Sequence, residues 1–150
     1  MRTFSVEIYI ETSLKGHTQN GAAGKWLAVF IKKNGKPEER EGILWKEKAT
    51  ENSLTLELLR DALASLAKSC SVQVNTRCGH IFGAINNHWV EKWEKAGWIT
   101  AKGEPVKNME LWQQVYDLMG KHSLKVVSSP HLHQAVMQDD IRKELMKARG

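Results

Sequence analysis

The hydrophobic period of this chain changes early, and that change limits the fold more than any other feature. Val6, Ile8 and Ile10 alternate with Glu7, Tyr9 and Glu11. A period of two built on β-branched residues predicts a strand. From Thr50 to Lys68 the period becomes helical. Leu54, Leu58, Leu59, Ala62, Leu63 and Leu66 fall on one side, with Glu57, Arg60, Asp61 and Lys68 on the other. That spacing predicts an amphipathic helix of about 15 residues, with Thr50 or Asn52 as N-cap.

The remaining segments fit between and after these two. Residues 12–24 hold Gly16, Gly21 and Gly24 and read as a turn. Lys25 to Ile31 reads as a second strand, Asn34-Gly35 as a two-residue hairpin, and Glu39 to Trp45 as a third strand. Val72 to Asn75 is a short strand, and Ile81 to Lys95 one or two short helices. Residues 96–107 read as a loop. Asn108 to Met119 is a helix capped by Gly120, Leu124 to Val127 a strand, and Met137 to Ala148 a final helix. Hairpin strands followed by helical crossovers predict a mixed sheet with helices on its faces.

Composition excludes several classes. At 150 residues and 41% hydrophobic content, one domain over residues 1–150 is expected, with no need of a disulfide or metal staple. No 18-residue apolar run exists, so no membrane partner is expected. The charged start, Met1-Arg2-Thr3-Phe4, does not read as a secretory leader, and a cytoplasmic location is expected. Cys70 and Cys78 are too few for a disulfide framework. The net charge of +5 makes nucleic acid a candidate partner, although no Lys/Arg run exceeds two.

Longer strings carry a resemblance. Trp89-Val90-Glu91-Lys92-Trp93-Glu94-Lys95-Ala96-Gly97-Trp98-Ile99-Thr100-Ala101-Lys102-Gly103-Glu104-Pro105-Val106-Lys107-Asn108-Met109-Glu110-Leu111-Trp112 resembles a helix, basic protrusion and next helix of type 1 ribonuclease H. Val6-Glu7-Ile8-Tyr9 resembles that family's first strand. The resemblance implies an α/β ribonuclease H-like fold: a five-stranded mixed sheet, with an antiparallel meander of strands 1–3 plus parallel strands, flanked by helices. It also implies RNA–DNA hybrid as the substrate class.

Members of this family hold two magnesium ions with four carboxylates. The chemistry needs them, because two cations roughly 3.5–4 Å apart clamp the attacking and leaving oxygens of a phosphodiester. Here the four matching positions read Glu11, Thr55, Arg77 and Asp140, with Asp139 as the alternative to Asp140. Glu11 replaces an aspartate and moves its carboxylate by roughly 1.5 Å, one C–C bond. Thr55 has no charge, and Glu57 points about 200° away from it on the helix. Arg77, in Thr76-Arg77-Cys78, puts a permanent cation where a metal ligand belongs. The formal charge of the four positions falls from −4 to −1. No metal or other cofactor is therefore expected, with Mg or Mn at Glu11 and Asp140 only if activity remains. Arg77 is expected to pair with both Glu11 and Asp140. A family loop histidine falls near Pro130, with His131 and His133 close by.

The resemblance also implies nucleic-acid contacts. Thr50, Asn108 and Cys78 match a phosphate pocket, with Cys78 replacing a serine, and Asn52 matches a contact to the RNA strand. Thr50 and Asn108 read equally as helix caps. Trp93, Trp98, Lys92, Lys95, Lys102 and Lys107 are expected to face the DNA strand, while Trp89 and Trp112 read as packed core. A thiol beside Arg77 is a candidate for reactivity, though a small residue at a strand end explains Cys78 as well.

Three functions follow: a catalytically degenerate ribonuclease H that still binds hybrid or duplex, a weak metal-dependent hybrid endonuclease, and an interaction module on the same fold. Three of the five net positive units come from the Thr55 and Arg77 positions themselves. The charge excess is thus better evidence of a lost metal centre than of a basic patch.

Overall fold

A computed structural model describes residues 4–14, 19–31, 37–128 and 130–149. The strands are β1 (Phe4–Thr12), β2 (Gln19–Ile31), β3 (Pro37–Ala49), β4 (Cys70–Asn75) and β5 (Ser123–Val127). The helices are α1 (Glu51–Ala64), α2 (Gly79–Asn86), α3 (Trp89–Lys95), α4 (Met109–Met119) and α5 (Gln134–Arg149). The sheet runs β3-β2-β1-β4-β5. β1–β2 and β2–β3 are antiparallel, and β1–β4 and β4–β5 are parallel. This is the expected five-stranded mixed sheet with helices packed against it.

The alternation in β1 divides its side chains between two layers. Val6, Ile8 and Ile10 join Leu54, Leu58, Leu59 and Leu63 of α1, and Trp112 and Val115 of α4, in the main core. Tyr9 joins Leu27 and Met137 of α5 in a smaller cluster on the opposite face. Each fully buried leucine contributes about 2 kcal/mol through removal from water. The long apolar stripe of α1 therefore anchors that helix firmly.

Thr50 is the N-cap of α1. Its hydroxyl accepts from the Ser53 N–H at 3.0 Å, and the Ser53 hydroxyl accepts from the Thr50 N–H at 3.0 Å. This reciprocal pair settles the choice between Thr50 and Asn52. Gly120 follows α4 in a right-handed conformation with φ −61° rather than the left-handed cap its identity predicts. At the β5 edge, the Asn86 side chain donates to Val126 O at 2.8 Å and accepts from Val126 N at 3.0 Å.

The reading of residues 12–24 as a turn is corrected. β2 already begins at Gln19, and Gly21 to Gly24 lie within it. Gly24 is small because of packing, since a Cβ there would lie 2.5 Å from Leu58 Cδ1, whereas Gly21 takes up a left-handed backbone with φ +80°. Gly42 in β3 meets the same demand, since a Cβ there would lie 2.3 Å from the Trp26 ring nitrogen. Gly16 and the Asn34-Gly35 hairpin lie outside the described residues. No helix among the described residues is long and apolar enough to cross a membrane.

Candidate functional site

β1 and β4 run side by side in parallel, with Tyr9 opposite Asn75. Their carboxyl ends therefore open at one edge, where the N-terminal turns of α1 also arrive. The result is a pocket of about 330 Å³ lined by Glu11, Thr12, Thr55, Thr76, Arg77 and Cys78, among others. Three of the four positions expected from sequence meet here.

Glu11 is the hub. It is 2% exposed, so its carboxylate needs partners. Gln138 Nε2 donates to Oε1 at 2.8 Å, and His131 Nε2 lies 3.0 Å from Oε2. The Arg77 guanidinium adds one contact, Nη2 to Oε1 at 3.4 Å. That is a single long bond, not the bidentate pair expected, and half of the Arg77 side chain stays exposed.

Asp140 does not join the pocket, which corrects its assignment as fourth member and as partner of Arg77. It pairs with the Lys25 ammonium, which also meets Glu41 at 3.2 Å. Burial pulls the Lys25 pKa down, but the hydrogen bonds to Asp140 and Glu41 outweigh it and raise the pKa overall. Asp139 is no alternative. It is exposed and paired with Arg142 and Lys143, whose hydrogen bonds hold its carboxyl below the usual range. The α5 residue that reaches Glu11 is Gln138, which the sequence reading missed. A sign was present: Met137 and Ile141, four apart and both 1% exposed, mark the buried stripe of α5. Gln138 and Asp140 lie on opposite flanks of that stripe, about 200° apart around the helix.

His131 does reach the site, and its ring also packs on Tyr9 with centroids 4.7 Å apart. His133 meets Tyr9 edge-on instead, with centroids 4.6 Å apart. Burial pushes the Cys78 thiol pKa up, and the nearby Glu51 adds to this. The sulfur donates to Asn52 Oδ1 at 3.1 Å. A reactive thiol is therefore the wrong reading of Cys78, and Asn52 already has a partner.

The expected nucleic-acid contacts divide. The Thr50 hydroxyl is engaged in its cap. Asn108 stands at the N-cap of α4 with φ +59°, yet its side chain makes no capping bond. Lys92, Lys95, Lys102 and Lys107 are all exposed. Trp93 is half-buried against Trp112, centroids 5.6 Å apart, and Trp98 packs edge-on to Tyr116 at 6.0 Å. Trp112 is fully buried as expected, but Trp89 is 38% exposed. Trp89 covers Gly83 from outside, where a Cβ would meet its ring at 2.8 Å.

A two-magnesium centre does not fit these residues. Glu11 is already engaged by an amide, an imidazole and a guanidinium. Thr55 and Gln138 are neutral, and Arg77 is a cation. Among the described residues no group of three or more His, Cys, Asp or Glu converges on a point that could hold a metal. Hard divalent ions need several oxygen donors together.

Comparison with known proteins gives consistent results. The family model for RNase H matches residues 4–131. The ribonuclease H of Clostridium botulinum is 31% identical over 122 residues, covering 81% of this chain and 80% of that protein. That of Stutzerimonas stutzeri is 36% identical over 121 residues, covering 79% and 74%. Among solved structures, LC9-RNase H1, a type 1 RNase H with the type 2 active-site motif, superposes with a TM-score of 0.75 at 17% identity. The match covers 99% of this chain and 73% of that one. A foamy viral protease-reverse transcriptase in complex with RNA/DNA hybrid matches with a TM-score of 0.64 at 12% identity, over 93% of this chain and 19% of that one.

Proposed function

The chain belongs to the ribonuclease H family, and from that premise we propose that it binds RNA–DNA hybrid or a similar duplex without cutting it efficiently. The observation that carries this reading is the state of Glu11. Its carboxylate is buried and engaged by Gln138, His131 and, at longer range, Arg77. Metal-dependent hydrolysis requires such a carboxylate to be free to ligate an ion that activates water. When bound in the family's manner, magnesium would supply that nucleophile and neutralise the leaving oxygen. Glu11 with Thr55, Arg77 and Gln138 lacks the donors to hold it.

Binding draws on other residues. Lys92, Lys95, Lys102 and Lys107 place four exposed cations on and after α3, suited to the phosphate backbone. The Asn108 amide, unused as a cap, is available to a phosphate oxygen. Glu91, Glu94 and Glu104 dilute the segment, so affinity is modest and falls steeply with salt.

The test measures binding and cleavage of a labelled hybrid with Mg²⁺ or Mn²⁺. Salt-sensitive binding without cleavage is expected. Cleavage that Glu11→Ala abolishes would overturn the reading in favour of a weak nuclease. Absence of binding at low salt would leave an interaction module. A gain-of-function arm adds precision. Restoring carboxylates with Glu11→Asp, Thr55→Glu, Arg77→Asp and Gln138→Asp should create magnesium binding detectable by calorimetry. The same set with Gln138 retained should not, although Asp140 is present.

A further inference from the structure

Arg77 is under-used for a residue beside a buried carboxylate. A guanidinium carries five N–H donors in a fixed fork. Among the described residues it gives Glu11 one of them, at 3.4 Å. Strong pairs of this kind form two bonds at roughly 2.7–2.9 Å. Glu11 does not depend on the contact, because Gln138 and His131 hold it at 2.8 and 3.0 Å. Half of the Arg77 side chain remains exposed, and the residue lines the 330 Å³ pocket.

One group opposes it. Glu51, in the first turn of α1, lines the same pocket. The pocket is therefore lined by both a guanidinium with unused donors and a carboxylate.

We propose that the exposed edge of the Arg77 guanidinium holds a phosphate group, and that Glu51 weakens that contact. Resting on the nucleic-acid reading above, the inference assigns the phosphate to the backbone of a bound hybrid. Guanidinium and phosphate match as a planar fork to two oxygens. The contact needs no metal, so hybrid binding persists in a chelator. Arg77 and Glu51 then set affinity in opposite directions, an arrangement that a purely structural arginine would not produce.

The experiment measures hybrid affinity by fluorescence anisotropy in EDTA across a salt series, for the native chain, Arg77→Gln, Arg77→Lys, Glu51→Gln and Lys68→Gln. Lys68 lies over the Phe4 ring at the far end of β1 and serves as a matched loss of charge. Arg77→Gln should weaken binding about tenfold and lower the log–log salt slope by roughly 0.7–0.9. Arg77→Lys should keep the slope and lose part of the affinity. Glu51→Gln should tighten binding about twofold or threefold. Equal effects of Arg77→Gln and Lys68→Gln, or a silent Glu51→Gln, overturn the inference while leaving hybrid binding standing. Inorganic phosphate titrated against the Arg77 Nε–H resonance separates the two ideas. A shift at Arg77 in a protein that binds no hybrid keeps the anion site and removes its assignment to nucleic acid. No shift and no hybrid binding removes both.

Discussion

Glu11 and Lys25 stand opposite each other on β1 and β2, and both are buried. Their surroundings are mirror images in charge. The carboxylate of Glu11 is met by an amide, an imidazole and a guanidinium. The ammonium of Lys25 is met by the two carboxylates of Asp140 and Glu41. Helix α5 serves both, giving Gln138 to one and Asp140 to the other. Exchanging the two would set a second carboxylate against Glu11 and leave Lys25 with Glu41 alone. The pairing seen thus keeps a second carboxylate away from the buried Glu11 and gives the buried Lys25 ammonium two anionic partners.

The largest expected effect comes from Lys25→Met. It leaves Asp140 and Glu41 without their shared cation. Breaking a buried pair costs about 3–5 kcal/mol, but these carboxylates reach water, so about 2 kcal/mol is expected. A urea midpoint shift worth well under 1 kcal/mol would show the Lys25 centre to be no tighter than a surface pair.

Gln138→Ala removes a donor from the buried Glu11 carboxylate and should cost about 1.5 kcal/mol. Gln138→Glu should cost more at neutral pH and recover on acidification, because it sets two carboxylates together. If both variants match the native stability, Gln138 does not hold Glu11 in solution.

The pH dependence separates this face from the rest. The folded state keeps the Lys25 proton above its ordinary 10.5. It pushes Tyr9 up to about 12 from 10.0, through burial and then Glu7. Groups that hold protons longer when folded contribute stability that is full below about pH 10 and lost as pH rises further. Tyr9→Phe should flatten part of that loss in denaturation curves between pH 9 and 12, and an unchanged slope would exclude Tyr9. The limb that falls away below about pH 6.5 involves groups elsewhere. Burial lowers the pKa of His80, in the tryptophan cluster, and of His122, where Lys121 adds to the effect. Their contribution is present above about pH 6.5 and fades as pH falls through their lowered values. Replacing His80 by Phe should reduce the acid loss and leave the alkaline limb intact.

The smallest effect is expected at Asp139. Its partners Arg142 and Lys143 are exposed with it. Asp139→Ala should leave the urea midpoint and hybrid binding unchanged. A marked loss in either would contradict its exclusion from both charge centres.

Much of this molecule was legible before any coordinates. The period of two in β1 and the leucine stripe of α1 each named an element, because burying one face fixes the spacing of apolar residues. The family resemblance singled out Glu11, Thr55 and Arg77, and the pocket brings the three together from β1, α1 and the segment just beyond β4. The glycine-rich start of β2 reads as a turn because small residues signal one locally, yet Gly24 lies in the strand and makes room for Leu58. Asp140 was misplaced for a related reason. A string of polar residues on a helix does not declare which one turns inward.

The sequence by itself determined the order of elements and the sheet with its helical layers, and it places Thr55 and Arg77 at two of the four positions where the resemblance implies carboxylates. Those follow from patterns within a few neighbouring residues. Only the tertiary structure decided the phase of α5, set where Met137 and Ile141 pack and Asp140 meets Lys25. That phase delivered Gln138 to Glu11, released Arg77 to a single long contact, and left its remaining donors in the pocket. Side-chain partners so far apart in the chain are chosen by packing, which no local pattern records.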